Sequence, residues 1–231
     1  MLKFIFLVGR TLIDEQNFYS FIDSRLLYLL NQFGAKIDNR NYDAIKNDII
    51  KNRKLPKDGV EELVIQLCKV LMPKGYEKII LKYILPSIEF AEKHLLYPSD
   101  DAIAALEFLS KNYMIGVIGS QENKVSKILK IYGMNKYFNC CILSYEENIE
   151  PDKEIFSLIL NMLGKRSGES LLIGDRLDTH IHIANTLGII TIRLTKSIFK
   201  VQEATNQNEI PTFTVNNLRE LANAGFTMNE I

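Results

Sequence analysis

Leu171-Leu172-Ile173-Gly174-Asp175-Arg176-Leu177-Asp178-Thr179-His180-Ile181 is the stretch from which the fold is read. Ser170 to Ile173 is a short apolar run that stops at Gly174, too short for a helix and bounded as a buried strand is. A polar turn follows. The spacing then predicts a helix over 178–187 that ends at Gly188, and Ile189 to Leu194 begins another apolar run. Strand, helix and strand in this order form a βαβ unit, whose two strands are parallel.

The same alternation extends in both directions. Upstream, helices are expected over 100–111, 123–132 and 153–163, the last two closed by Gly133 and Gly164, and strands over 114–118 and 140–144. Downstream, a short strand over 213–215 precedes a helix over 218–224. At the start of the chain, residues 3–8 (Lys-Phe-Ile-Phe-Leu-Val) form a strand stopped by Gly9. From Asp14 to His94 the period changes: Phe18, Phe21, Ile22, Leu26, Leu29 and Leu30 step by three and four, and similar stripes recur over 60–72 and 76–88. The fold class is therefore α/β, a doubly wound, Rossmann-type parallel sheet with an inserted α-helical domain. Residues 1–13 and 98–231 make the core domain and 14–97 the insertion. Phe33, Tyr42, Tyr76 and Tyr83 in the insertion look exposed, though packing explains them equally.

Composition excludes several function classes. Lys+Arg and Asp+Glu are both 28, so no bulk field draws the chain to nucleic acid or to an anionic membrane. No apolar run is long enough to span a bilayer, and the apolar start lacks a basic flank and a cleavage site, so the cytoplasm is the expected location. Cys68, Cys140 and Cys141 have neither disulfide nor zinc spacing and read as small buried hydrophobes, the last two in a buried strand.

In open parallel sheets ligands bind beyond the carboxyl ends of the strands. The segments that fall there resemble the haloacid dehalogenase superfamily of phosphatases, mutases and dehalogenases. Leu171 to Ile181 with Ala184-Asn185-Thr186-Leu187-Gly188 is similar to that family's fourth motif and following helix. Pro151-Asp152-Lys153-Glu154-Ile155-Phe156 resembles the segment after its third-motif lysine. Tyr97-Pro98 resembles the return from a helical cap, and Phe213 to Leu221 its common ending.

The resemblance implies an aspartate nucleophile and an aspartate acid/base, and this chain lacks both. Anchored on Thr11-Leu12, the nucleophile position is Leu7 and the acid/base position Gly9, with Arg10 where the family keeps glycine. Leucine cannot attack phosphorus and glycine cannot deliver a proton. The second-motif hydroxyl position falls at Gly119 in one register and at Ser120 in the next. The third-motif lysine position is Glu150, a charge reversal, with Lys153 in the next helix. In the fourth motif Asp175 remains, while the second carboxylate position is His180. Asp175, with Asp178 as a second oxygen source, is all that would hold Mg²⁺, so no cofactor is expected. Asp178 with His182 reads as a helix cap and a surface histidine, and Asp14 and Glu15 as solvated or capping the first inserted helix.

Arg10, Thr11, Gly119, Ser120, Asp175 and Asp178 are thus the candidate ligand-binding set, with Ser120 and Asp175 the candidates for any surviving chemistry. Arg10 is expected either to reach Asp175 or Glu150 as an internal ion pair or to point to solvent. Two functions follow. One is a protein that descends from hydrolases, has lost their chemistry and binds a small molecule or a protein. The other is a divergent hydrolase of a small phosphorylated metabolite with altered catalytic groups. A structural subunit of a larger assembly is a third reading.

Overall fold

The computed structural model describes residues 3–7, 11–55, 59–119, 122–143, 152–164 and 166–223. In chain order these form β1 (Lys3–Leu7), β2 (Ile13–Asp14), α1 (Gln16–Gln32), α2 (Asn39–Lys51), α3 (Val60–Leu71), α4 (Tyr76–His94) and β3 (Tyr97–Pro98). Then come α5 (Ala102–Ser110), β4 (Met114–Gly119), α6 (Glu122–Ile131), β5 (Cys140–Leu143), α7 (Lys153–Met162) and β6 (Ser170–Gly174). A π-turn (Leu177–Ile181), α8 (His182–Thr186), β7 (Ile190–Leu194), β8 (Phe213–Val215) and α9 (Arg219–Asn223) complete the order. The chain divides into two compact units, Met1–Asp14 with Tyr97–Ile231, and Glu15–Leu96.

The first unit is a six-stranded sheet in the order β5-β4-β1-β6-β7-β8, parallel throughout. A parallel strand needs a crossover, and covering helices bury both faces, so its strands read as unbroken apolar runs. Ser170 to Gly174 are all buried, as are Ile115 to Gly119. Ile5, Ile118 and Leu172 from three neighbouring strands pack with Phe156, Ile159 and Leu163 of the α7 segment and Ala184 of α8. The antiparallel pair β2–β3 joins the points where the chain leaves this unit and returns to it.

Gly116 sets the approach of α7 to β4. A Cβ there would fall 2.8 Å from Ile159 Cδ1 and 3.0 Å from Leu163 Cδ1. Gly116→Val is therefore expected to overpack this contact and cost about 1–3 kcal/mol. That corresponds to roughly 2–4 °C in Tm per kcal/mol for a chain of this size. A thermal melt equal to that of the native protein would mean that α7 shifts without cost.

Two local expectations are corrected. The run Cys140 to Leu143 is not a buried strand: among the described residues β5 pairs with β4 alone, so it is an edge strand, and Cys141 is exposed. Cys68 does lie in the core, where burial pushes its thiol up to about 12. The helix expected over 178–187 is divided. Ile181 N–H donates to the Arg176 carbonyl five residues back, at 3.1 Å, and regular α-helix begins only at His182.

The second unit is helical. Ile22, Leu26 and Leu30 of α1, Leu63, Val64 and Leu67 of α3, and Ile80, Ile84 and Ile88 of α4 are buried at the three- and four-residue spacing of their stripes. Tyr42 is not exposed. Its phenol donates to Asp23 Oδ1 at 2.9 Å in the interior, while Tyr83 is at the surface, its ring 5.6 Å from that of Phe33. No helix among the described residues is long and apolar enough to cross a membrane.

Candidate functional site

β1 lies between β4 and β6, so the order of the sheet reverses around it, the point at which open α/β sheets form a binding crevice beyond the carboxyl ends of their strands. Register brings the ends of these strands together. Leu7 pairs with Ile118, one residue before the end of β4, and Phe6 pairs with Ile173, two residues before Asp175. Gly174 pairs with Arg193, which brings β7 to the same edge. Leu7 therefore ends β1 between the glycine that closes β4 and the Gly174-Asp175 turn.

Asp175 is 2% exposed and His180 4%. His180 Nδ1 lies 3.1 Å from Asp175 Oδ1. The π-turn accounts for this, since its wider loop folds residue 180 back over the end of β6. Insertions of this kind recur at functional sites. Gly174 makes the return possible: a Cβ there would stand 2.9 Å from the Cβ of His180.

Asp178 does not cap a helix. Arg176 grips it with a two-point fork, Nε to Oδ1 at 2.9 Å and Nη2 to Oδ2 at 3.1 Å, and Gln202 Nε2 donates to Oδ1 at 2.9 Å. The same Gln202 accepts from Leu177 N–H at 2.9 Å, so one amide ties the π-turn to the 198–202 segment. The Arg176 guanidinium stacks 5.0 Å from the centre of the Phe199 ring. Burial alone would push the Asp178 carboxyl up. The hydrogen bonds and charge of Arg176, with Gln202, more than offset it and hold the group below the usual carboxylate range.

Arg193, half-buried at the end of β7, donates from Nη2 to the carbonyls of Phe199 at 3.0 Å and Gln202 at 3.1 Å. Burial lowers its pKa, and the negative charge of Asp175 opposes that shift. Arg176, Arg193 and Gln202 were absent from the candidates read in sequence. Arg193 carried a usable signal, a charge in the middle of the apolar run 189–194.

The other candidates fall as follows. Thr11 is buried just before β2, and Gly119 closes β4 without a hydroxyl. Asp14 lies 3.8 Å from Lys196, and Glu15 precedes α1 without a side-chain capping bond. Lys153 opens α7, whose cap is Asp152, accepting from the backbone of Glu154 and Ile155. His182 opens α8 and is half-buried rather than at the surface. Gly9, Arg10, Ser120 and Glu150 lie outside the described residues, and with them the expected reach of Arg10.

Magnesium seeks octahedral oxygen ligation at about 2.0–2.1 Å. The described residues do not fit it. Asp175 presents an oxygen to an imidazole, both oxygens of Asp178 are committed to Arg176, and no cluster of three or more His, Cys, Asp or Glu is formed among them. A groove of about 260 Å³ beside Leu129, Phe138 and Cys141 lies at the β5 edge, three strands from β6, and is a separate feature.

Comparison with known proteins places these observations. A family model described as haloacid dehalogenase-like hydrolase matches residues 16–185, more than half of the chain, and a second HAD-like hydrolase model matches 150–221. The glyceraldehyde 3-phosphate phosphatase of Methanocaldococcus jannaschii is 28% identical over 221 residues, covering 94% of this chain and 93% of that protein. The magnesium-bound crystal structure of the HAD-hydrolase YfnB from Bacillus subtilis superposes with a TM-score of 0.65 at 18% identity, over 98% of this chain and 99% of that one. A haloacid dehalogenase-like family hydrolase from Xanthomonas campestris gives 0.64 at 13% identity, over 96% and 90%. At these identities the structures speak for the fold alone.

Proposed function

Because the chain belongs to the haloacid dehalogenase-like hydrolases, we propose that it keeps their scaffold, has lost their phosphatase and dehalogenase chemistry, and acts in the cytoplasm by binding. Leu7 carries this reading. It ends β1 at the reversal point of the sheet, where an attacking carboxylate would have to stand, and a hydrocarbon there has no lone pair to offer phosphorus or carbon. The losses at Gly9 and Glu150 point the same way. Without an acid a leaving group departs unprotonated, and an anion in place of lysine repels a phosphate instead of holding it. The occupant of the crevice is then a small molecule or a protein segment that makes no demand on a nucleophile.

One observation favours a second reading. Similarity to a glyceraldehyde 3-phosphate phosphatase runs through nearly the whole of both chains, which suits a hydrolase of small phosphorylated metabolites with altered catalytic groups. Ser120 would be its nucleophile and Asp175 would be indispensable.

Hydrolysis of 4-nitrophenyl phosphate and of glyceraldehyde 3-phosphate separates the two. The assay is run with Mg²⁺, Mn²⁺, Co²⁺ or Zn²⁺ and with chelator, beside Asp175→Asn. Background rates in every condition, from protein with a cooperative melt, are the expected result. Turnover that disappears in Asp175→Asn would overturn the binding reading in favour of the second.

A further inference from the structure

The resemblance puts a metal-bound carboxylate at Asp175, yet among the described residues the neighbours of Asp175 are not those of a metal ligand. A carboxylate 2% exposed needs a compensating partner, since burying an ion without one costs several kcal/mol. In the related hydrolases a divalent ion would supply it. Here His180 Nδ1 stands 3.1 Å from Oδ1, within ion-pair reach though outside hydrogen-bond geometry, and Arg193 pairs with Gly174 on the neighbouring strand, where the Asp175 charge opposes the lowering of its pKa by burial.

Neither His180 nor Asp178 is readily moved. The His180 Cβ lies against the bare backbone of Gly174, and the residue is only 4% exposed, so its side chain is packed in place. Asp178 could turn toward an ion only by releasing Arg176, itself 2% exposed, and Gln202. An imidazole nitrogen is also a poor ligand for a hard, oxygen-seeking cation.

We infer that His180, with Arg193 beside it, takes the place of the divalent ion at Asp175, so that the crevice is a metal-independent site. This deepens the non-catalytic reading and rests on the same geometry, but it can fail separately.

The test is thermal unfolding of the full chain with saturating MgCl₂ or with EDTA, beside His180→Asp and Asp175→Asn. The native protein is expected to melt at one temperature in both. His180→Asp restores the second carboxylate and is expected to gain a Mg²⁺-dependent rise in Tm on the order of 5 °C. A rise in the native protein that is lost in Asp175→Asn would overturn the inference. So would a folded His180→Asp protein that ignores Mg²⁺, because the exclusion would then not belong to His180.

Should His180→Asp fail to fold, Mn²⁺ titration of the native protein followed by electron paramagnetic resonance decides the matter. The free-ion signal is expected to rise in step with added metal, and depletion of it that requires Asp175 would overturn the inference. Phosphatase turnover in chelator would sink the non-catalytic reading and leave this inference standing.

Discussion

Asp178→Ala is expected to cost the fold about 3–5 kcal/mol, the range for breaking a buried ion pair from one side. The loss is not of attraction alone. Arg176 stays in the interior with a charge that had been matched by a two-point fork, and Gln202 loses one of the two bonds by which it spans Leu177 and Asp178. In a melt this is a fall of roughly 10 °C. Removing the whole pair is expected to be much milder, so Arg176→Met with Asp178→Leu should recover most of the loss and close a double-mutant cycle. A loss below about 1 kcal/mol for Asp178→Ala, the level of an exposed pair, would show that water screens the fork.

The same carboxylate has a pH signature. Its pKa in the folded chain lies below the ordinary value, so it contributes stability that is present above the unfolded pKa near ~3.9 and is lost as pH falls through the depressed folded value. Asp101 behaves alike. Burial would raise it, but bonds from Ser99 Oγ and the backbone N–H of Leu218 hold it low. Acidification below about pH 4 should therefore weaken the native protein, and weaken Asp178→Ala less steeply over the same interval.

Asp178 was legible in sequence as a candidate ligand-binding residue, whereas its buried partners were not. It sits beside Asp175 in the turn that carries the family resemblance, but its partner Gln202 is 24 residues away, and no local pattern announces that bond. The π-turn was hidden for a related reason. One extra residue in a turn leaves the apolar spacing of 178–187 intact, so periodicity reads a single helix where the backbone makes two structures. Strands were legible because a sheet covered on both faces demands unbroken apolar runs. Those runs do not distinguish a central strand from an edge, which is why Cys141 was placed inside. The reading of Leu7 needed only the anchor Thr11-Leu12. The approach of His180 to Asp175 required coordinates.

Asp23→Ala tests the other unit, where a buried polar cluster holds α1 to α2. Tyr42 and Lys46 lie four apart on one face of α2, and both engage the same carboxylate, the phenol at Oδ1 and the ammonium at Oδ2. Lys46 is only 8% exposed and its ammonium also lies 5.5 Å from the centre of the Tyr19 ring. Burial pushes the Tyr42 phenol far above its ordinary pKa, and the charge of Asp23 adds to the shift, so the phenol remains a donor through the alkaline range. Removing Asp23 leaves a buried ammonium and a buried hydroxyl without their shared acceptor. The partial exposure of Asp23 tempers the cost to about 2–4 kcal/mol. Tyr42→Phe removes one bond to a charged group and keeps the ring, for about 1.5–3 kcal/mol at most. If the ammonium is what makes the cluster costly to break, Lys46→Met should restore much of the stability lost in Asp23→Ala, measured by chemical denaturation of the single and double variants. If Tyr42→Phe costs as much as Asp23→Ala and Lys46→Met restores nothing, the phenol alone carries the cluster and the ammonium is solvated.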